Sequence, residues 1–138
     1  QHFDAVFIAQ GTTTTSLGIL ASIPPSTQLF VVPALKGFDS LSEMQTLAAS
    51  AKINPLTAHF QFNWKQVTVL DTYHHGGYAK TTPELLHFTS AFNTTRQFPI
   101  EPTYTAKALF ALRDLLMKAD KRLGNSSILF IHTGGIFA

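Results

Sequence analysis

The sequence has no cysteine, so disulfides and thiolate chemistry are excluded. Charge is scarce as well: Asp, Glu, Lys and Arg make up 13% of the 138 residues, against about 25% in ordinary soluble proteins. So thin a polar coat implies that part of the surface expects a cover. The 10 basic residues exceed the 8 acidic ones slightly and lie scattered, which leaves no basic run to follow a nucleic-acid backbone. Long apolar runs are missing too. Pro25, Pro33 and Gly37 break them well short of the roughly 18 residues that a membrane helix needs. The first residues do not read as a secretory signal. Nucleic acid and membrane are therefore not expected as partners, and a cytoplasmic setting is expected.

What is present is apolar and ordered by period. Hydrophobic residues make up 45% of the chain, enough for the core of one ordinary domain. Ala5 to Ala9 is a continuous apolar run, followed by Gln10-Gly11-Thr12-Thr13-Thr14-Thr15 and then Leu17, Ile19 and Leu20. The order is strand, loop, helix. Gln28 to Ala34 is a second run without alternation, which predicts a strand buried on both faces. Ser40-Leu41-Ser42-Glu43 has capping-box spacing before a helix with Leu41, Met44 and Leu47 inward. Two short strand-like runs are expected between His59 and Leu70. Thr82-Pro83-Glu84 predicts a capped helix start, with Leu85, Phe88 or Thr89, and Phe92 facing inward. Tyr104 to Leu123 predicts a long helix with Leu109, Leu112, Leu116 and Leu123 on its buried face, and Ser127 to His132 another buried strand. Alternating strands and helices define the expected class: α/β, an open and mainly parallel sheet with flanking helices, whose ligands sit beyond the carboxyl ends of strands.

Three loops fall at such ends: Gly11 to Thr15, Tyr73 to Lys80, and Thr133 to Gly135. A loop of small residues before a helix can aim several N–H groups at one anion, and threonine adds hydroxyl donors. The same residues also make an ordinary threonine-rich connection with a helix cap, and they are not a P-loop, since no Gly-Lys-Ser or Gly-Lys-Thr follows. His74 and His75 are adjacent, so on an extended segment their side chains point apart and no metal site is expected. His132 reads as a structural histidine. Lys80 and Lys107 would need a dry site to serve as nucleophiles, and both read as solvated or ion-paired. Tyr78 and Tyr104, in loops beside glycine and proline, read equally as ligand contacts or as packing.

Taken in order, Val32-Pro33-Ala34-Leu35-Lys36-Gly37, Tyr73-His74-His75-Gly76-Gly77-Tyr78-Ala79-Lys80, Glu101-Pro102-Thr103-Tyr104-Thr105-Ala106-Lys107 and Ile131-His132-Thr133-Gly134-Gly135 resemble the D-cysteine desulfhydrase and 1-aminocyclopropane-1-carboxylate deaminase family. These are type II pyridoxal-phosphate enzymes of the tryptophan-synthase β-like fold. The resemblance implies that residues 1–138 are the C-terminal portion of a pyridoxal-phosphate-binding domain, truncated at both ends, with pyridoxal 5'-phosphate as cofactor. It implies that Gly11, Thr12, Thr13, Thr14 and Thr15 hold the cofactor phosphate, that Tyr78 and Tyr104 act around the ring and substrate, and that Thr105 and Thr133 border the heterocycle. Thr13 and Thr14 stand where glycine is usual, and Ala106 replaces another glycine. Because threonine avoids positive φ, the phosphate turn is expected to differ or tighten.

In the deaminases a glutamate faces the pyridine nitrogen where Thr105 stands here, and a leucine is usual at the place of Thr133. Both threonines resemble the desulfhydrase branch. A hydroxyl partner gives a weaker electron sink than a carboxylate, which suits loss of a thiolate better than opening of a cyclopropane ring. The implied activity is α,β-elimination giving a 2-oxo acid and ammonia. Cyclopropane-carboxylate deamination, a non-enzymatic phosphate- or nucleotide-binding α/β module, and a structural domain on the same fold are the alternatives. The family's Schiff-base lysine sits in an Asn-Lys segment that nothing here matches, so this portion is expected to be inactive alone. The remaining partners implied are a small amino-acid substrate, the remainder of the same polypeptide and, when complete, a second copy in a homodimer.

Overall fold

A computed structural model describes residues 1–134. The chain runs β1 (Ala5–Gln10), α1 (Thr14–Ser22), β2 (Gln28–Pro33), α2 (Ser40–Ile53), a 3₁₀ turn (Trp64–Gln66), β3 (Val67–Val69), α3 (Pro83–Thr95), α4 (Thr105–Met117) and β4 (Ile128–Ile131). The strands form one four-stranded sheet in the order β3-β2-β1-β4. Every pairing is parallel. Chain order therefore reverses beside β1: β2 lies to one side of it and β4 to the other. In open α/β sheets such a switch point opens a crevice at the carboxyl ends of the strands.

β1 and β2 read as unbroken apolar runs because both of their faces are covered. On one face Val6, Ile8, Leu29 and Val31 meet Leu17 and Leu20 of α1 and Met44 and Ala48 of α2. On the other, Phe7, Ala9, Phe30 and Val32 meet Ala108, Ala111, Leu112 and Leu115 of α4. The register sets Phe7 opposite Phe30, and their rings stack with centroids 4.6 Å apart. The alanines of α4 let the helix lie close over that stack. α3 covers the outer side of α4, with Leu85, Ile100, Ala106 and Phe110 forming a smaller cluster.

Several expectations change in the folded chain. α2 is capped one residue earlier than its box spacing implies: the Asp39 carboxylate accepts the Ser42 N–H at 3.0 Å, which leaves Ser40 buried in the first turn. Of the residues expected inward there, Met44 is buried, whereas Leu41 is exposed. Between His59 and Leu70 there is one strand rather than two, because Asn63 accepts the Lys65 N–H and bends the chain into the 3₁₀ turn.

α4 stops at Met117, short of Leu123. Ala119 enters the left-handed region at φ 51°. Its N–H and that of Asp120 bond back to the Leu116 and Leu115 carbonyls, a Schellman ending built without glycine. The buried face of α4 is also rotated from the leucine stripe: Ala108, Ala111, Leu112 and Leu115 face the sheet, while Leu116 is 52% exposed. β4 is half-buried rather than buried, as suits the outermost strand among the described residues. α3 starts as expected, with Thr82 accepting the Leu85 N–H at 3.2 Å and Leu85 and Thr89 buried.

Candidate functional site

The crevice lies at the switch point. β1 delivers Gly11 and Thr12, β4 delivers Thr133 and Gly134, and the start of α4 places Tyr104 between them. Together with Ala9 and Thr15 they enclose a cavity of ≈ 320 Å³. Gly11 is required by a close approach: a Cβ there would stand 2.8 Å from Cε1 of the Tyr104 ring.

The Gly11–Thr15 turn runs into the amino end of α1. Thr13 is the N-cap residue, yet its side chain makes no capping bond, and the first turn holds no acidic residue. The turn is held from beneath. Gln10, 1% exposed, donates through Nε2 to Ser16 Oγ at 2.6 Å, and Ser16 Oγ donates to the Thr13 carbonyl at 3.0 Å. Thr12, Thr14 and Thr15 are left exposed. An uncapped helix end with free hydroxyls and no nearby carboxylate suits a phosphate. The turn holds its threonines without backbone strain: Thr13 has φ −92° and none of Thr12 to Thr15 has positive φ.

Tyr78 stands beside Tyr104 with ring centroids 6.0 Å apart and planes tilted by 59°. The Tyr78 hydroxyl, followed by burial, holds the Tyr104 phenol above its ordinary pKa of 10.0. The Tyr104 phenol is thus harder to ionise than a free tyrosine. Thr105 is fully buried and does not line the cavity: its Oγ1 accepts the Glu101 N–H at 3.0 Å and lies 3.2 Å from the Glu101 carboxylate. Thr13 and Thr14 belong to the turn without lining the cavity. Thus Gly11, Thr12, Thr15, Tyr104 and Thr133 share one cleft, Tyr78 abuts it, and Thr105 supports it from inside the fold.

Of two neighbours, Glu101 has no role in the sequence reading and Lys107 a different one. Glu101 is 6% exposed, and its carboxylate accepts the N–H groups of Thr103, Tyr104 and Thr105 at 2.6, 2.9 and 2.8 Å. It caps α4 and orients Tyr104. An acid just before a helix start was the available signal. Lys107, read as solvated or ion-paired, is fully buried and in no salt bridge among the described residues. Its Nζ donates to the Gly77 carbonyl at 2.8 Å and approaches that of Ala34 at 3.5 Å. Burial lowers its pKa from 10.5, and the Glu101 carboxylate opposes that shift.

The histidines serve the frame. His132 Nε2 lies 2.8 Å from the Pro99 carbonyl, and Nδ1 accepts the Gly134 N–H. His74 Nδ1 accepts the Gly76 N–H. Among the described residues no group of three metal-binding side chains occurs. His75 meets Thr82 Oγ1 at 3.0 Å through Nδ1 and sets its ring edge-on to Phe110. Burial, followed by the Lys107 charge, lowers its pKa from 6.5. The folded chain therefore binds a proton here less readily than the unfolded one. It is expected to lose stability as pH falls through 6.5, with no contribution above it. Urea unfolding at pH 7.5, 6.5 and 5.5 checks this: His75→Gln should flatten the acid-side decline, and an unchanged slope would contradict it.

Fold and cleft define an open parallel α/β sheet with a threonine-lined turn and two neighbouring phenols at its carboxyl edge. No protein-family model matches the chain. It is 32% identical over 141 residues to a Pyrococcus furiosus protein provisionally named 1-aminocyclopropane-1-carboxylate deaminase, covering 98% of this chain and 40% of that one. An Arabidopsis thaliana protein named bifunctional D-cysteine desulfhydrase/1-aminocyclopropane-1-carboxylate deaminase, mitochondrial, is 37% identical over 60 residues, 44% of this chain and 15% of its own. A crystal structure described as an ACC deaminase homologue superposes with a TM-score of 0.79 at 27% identity, covering 97% of this chain and 40% of that one. The chain belongs to the D-cysteine desulfhydrase and 1-aminocyclopropane-1-carboxylate deaminase family of type II pyridoxal-phosphate enzymes. It spans 40% of the Pyrococcus furiosus relative, and among the described residues no helix is long and apolar enough to cross a membrane.

Proposed function

We propose that the protein containing this chain is a pyridoxal-phosphate-dependent lyase that eliminates a thiolate from the β-carbon of an amino acid, as D-cysteine desulfhydrase does, giving a 2-oxo acid and ammonia. The observation that carries this reading is the lining of the cleft: hydroxyls of Thr12, Thr15, Tyr104 and Thr133 and, among the described residues, no carboxylate. The residues fit the cofactor's phosphate at Gly11 to Thr15, where the open end of α1 and the threonine hydroxyls would hold it. When bound, the cofactor supplies an electron sink for the substrate's α-carbon. Without a carboxylate beside its ring that sink is modest, enough to expel a good leaving group.

The chain's own residues bind and orient. Tyr104, kept protonated, donates a hydrogen bond toward the substrate; Tyr78 holds Tyr104 in place and closes the outer side of the cleft. Thr133 lines the same cleft and would lie beside the cofactor ring, and Thr105 acts through Glu101 without lining the cleft. None of the cleft-lining residues is a lysine, and Lys107 is engaged by backbone carbonyls. On this reading the lysine that anchors the cofactor belongs to the part of the relatives that this chain does not span, and the chain alone is expected to be inactive. The complete protein is proposed to be a homodimer.

Cyclopropane-carboxylate deamination is the second reading, favoured by the name of the Pyrococcus furiosus relative. A panel of β-substituted D- and L-amino acids plus 1-aminocyclopropane-1-carboxylate, assayed on the full-length protein with added pyridoxal phosphate, decides. Release of a 2-oxo acid with sulfide from a thiol-bearing substrate is expected. Turnover of the cyclopropane substrate alone would overturn the lyase reading, and no product from any substrate would leave a phosphate-binding module.

A further inference from the structure

Lys107 carries a chemistry that the proposed reaction does not use. An ammonium in a dry interior is costly unless its donors are met. Here they reach backbone: the Gly77 carbonyl at 2.8 Å and the Ala34 carbonyl at 3.5 Å. Gly77 precedes Tyr78, Ala34 follows β2, and Lys107 itself stands one helical turn from Tyr104. One charge thus touches three segments at the carboxyl edge.

The loop that bears Tyr78 is tied down at its start, Tyr73 by donating to the Asp114 carboxylate at 2.5 Å and His75 by its edge contact with Phe110. Around Tyr78 itself the loop's own bonds are local. Gly77 N–H bonds to the His74 carbonyl, and Lys80 N–H to the Gly77 carbonyl, both within the loop. Ala79 adopts φ 55°, a left-handed state that costs energy in a residue other than glycine. Tyr78 is 55% exposed, so burial does not fix it. At Gly77, next to Tyr78, the hydrogen bond to α4 is that of Lys107.

We propose that Lys107 is a positioning residue, clamping the loop at Gly77 to the start of α4 and so setting the spacing of Tyr78 and Tyr104. The clamp stands on this geometry; only its consequence for turnover rests on the function proposed above.

The test uses the full-length protein with Lys107→Met, Lys107→Gln and Tyr78→Phe, each made with and without Tyr104→Phe so that subtraction isolates the Tyr104 ionisation in an ultraviolet titration. In the parent protein Tyr104 is expected to titrate above 10.0 because of its partner phenol. Lys107→Met should bring it down toward 10.0, as Tyr78→Phe does, and the two changes together should do no more than either. The sign is diagnostic: losing a nearby cation raises a phenol's pKa, so a fall means that the phenols have separated. Lys107→Gln, neutral but still a donor, gives the same readout with a smaller shift should the methionine variant not fold. Turnover should fall about 10- to 100-fold in Lys107→Met, as for misplaced binding groups generally. A Tyr104 titration that stays or rises in the folded variants, or effects of Lys107→Met and Tyr78→Phe that add, would overturn the clamp. If no substrate is turned over at all, the lyase reading falls while the titration still decides the role of Lys107.

Discussion

Replacing Glu101 with alanine is expected to destabilise the protein by about 2–4 kcal/mol, since each buried donor left without an acceptor costs about 1–3 kcal/mol and the adjoining cleft can hydrate part of the loss. The carboxylate is 6% exposed and accepts three N–H groups, of Thr103, Tyr104 and Thr105. Tyr104 makes no capping bond of its own as N-cap of α4, so nothing else in the turn takes over. Glu101→Gln keeps an acceptor oxygen and loses the charge, and about half the effect is expected, charged hydrogen bonds being roughly twice as strong as neutral ones. Urea unfolding of the full-length variants at neutral pH gives both values. A loss below about 1 kcal/mol for the alanine variant, the level of an ordinary helix cap, would show that the turn holds itself. Because Tyr104 is carried by that turn, the same variant should weaken whatever the cleft binds.

Gly11→Val is expected to weaken pyridoxal-phosphate binding by the full-length protein about 10- to 100-fold, at 1.4 kcal/mol for each tenfold step. The cause is local. A Cβ at this position would lie 2.8 Å from Tyr104 Cε1 and 3.2 Å from Cζ and the hydroxyl oxygen, and a branched side chain adds two further methyl groups. The Tyr104 ring has to swing out of the cleft, or the turn has to move away from it, and either change spoils the anion cradle. Gly18→Ala, in the middle of α1, is the control: a Cβ there meets nothing within 4 Å. It should leave binding unchanged and add about 0.5–1 kcal/mol of stability from helix propensity. Cofactor titration followed by absorbance, with thermal unfolding alongside, separates the two. Equal binding by the valine variant would mean that the Tyr104 contact is incidental.

Much of this architecture could be read from one-dimensional pattern. β1 and β2 announce themselves by apolar runs without alternation, a direct consequence of burial on both faces, and Thr82-Pro83-Glu84 starts α3 where the chemistry of caps puts it. The loops at the carboxyl edge were likewise visible, because glycine, threonine and tyrosine cluster at the ends of those runs. The errors share a cause. Leucine counting misplaced the buried face of α4, since Ala108 and Ala111 face the sheet to admit the Phe7–Phe30 stack and alanine carries no strong signal. The end of α4 was missed because Ala119 takes the left-handed turn usually given to glycine. Lys107 and Glu101 were legible as residue types only. The cap by Glu101 is made by contacts two to four residues away and leaves a local trace, whereas the dry setting of Lys107 depends on its contact with Gly77, 30 residues distant, which no local pattern encodes.

The most direct test is a crystal structure of the full-length protein with pyridoxal phosphate bound. The phosphate is expected against the N–H groups and hydroxyls of Gly11 to Thr15, with the ring between Tyr104 and Thr133. A phosphate seated elsewhere, with the threonine turn facing solvent, would contradict the assignment of this cleft.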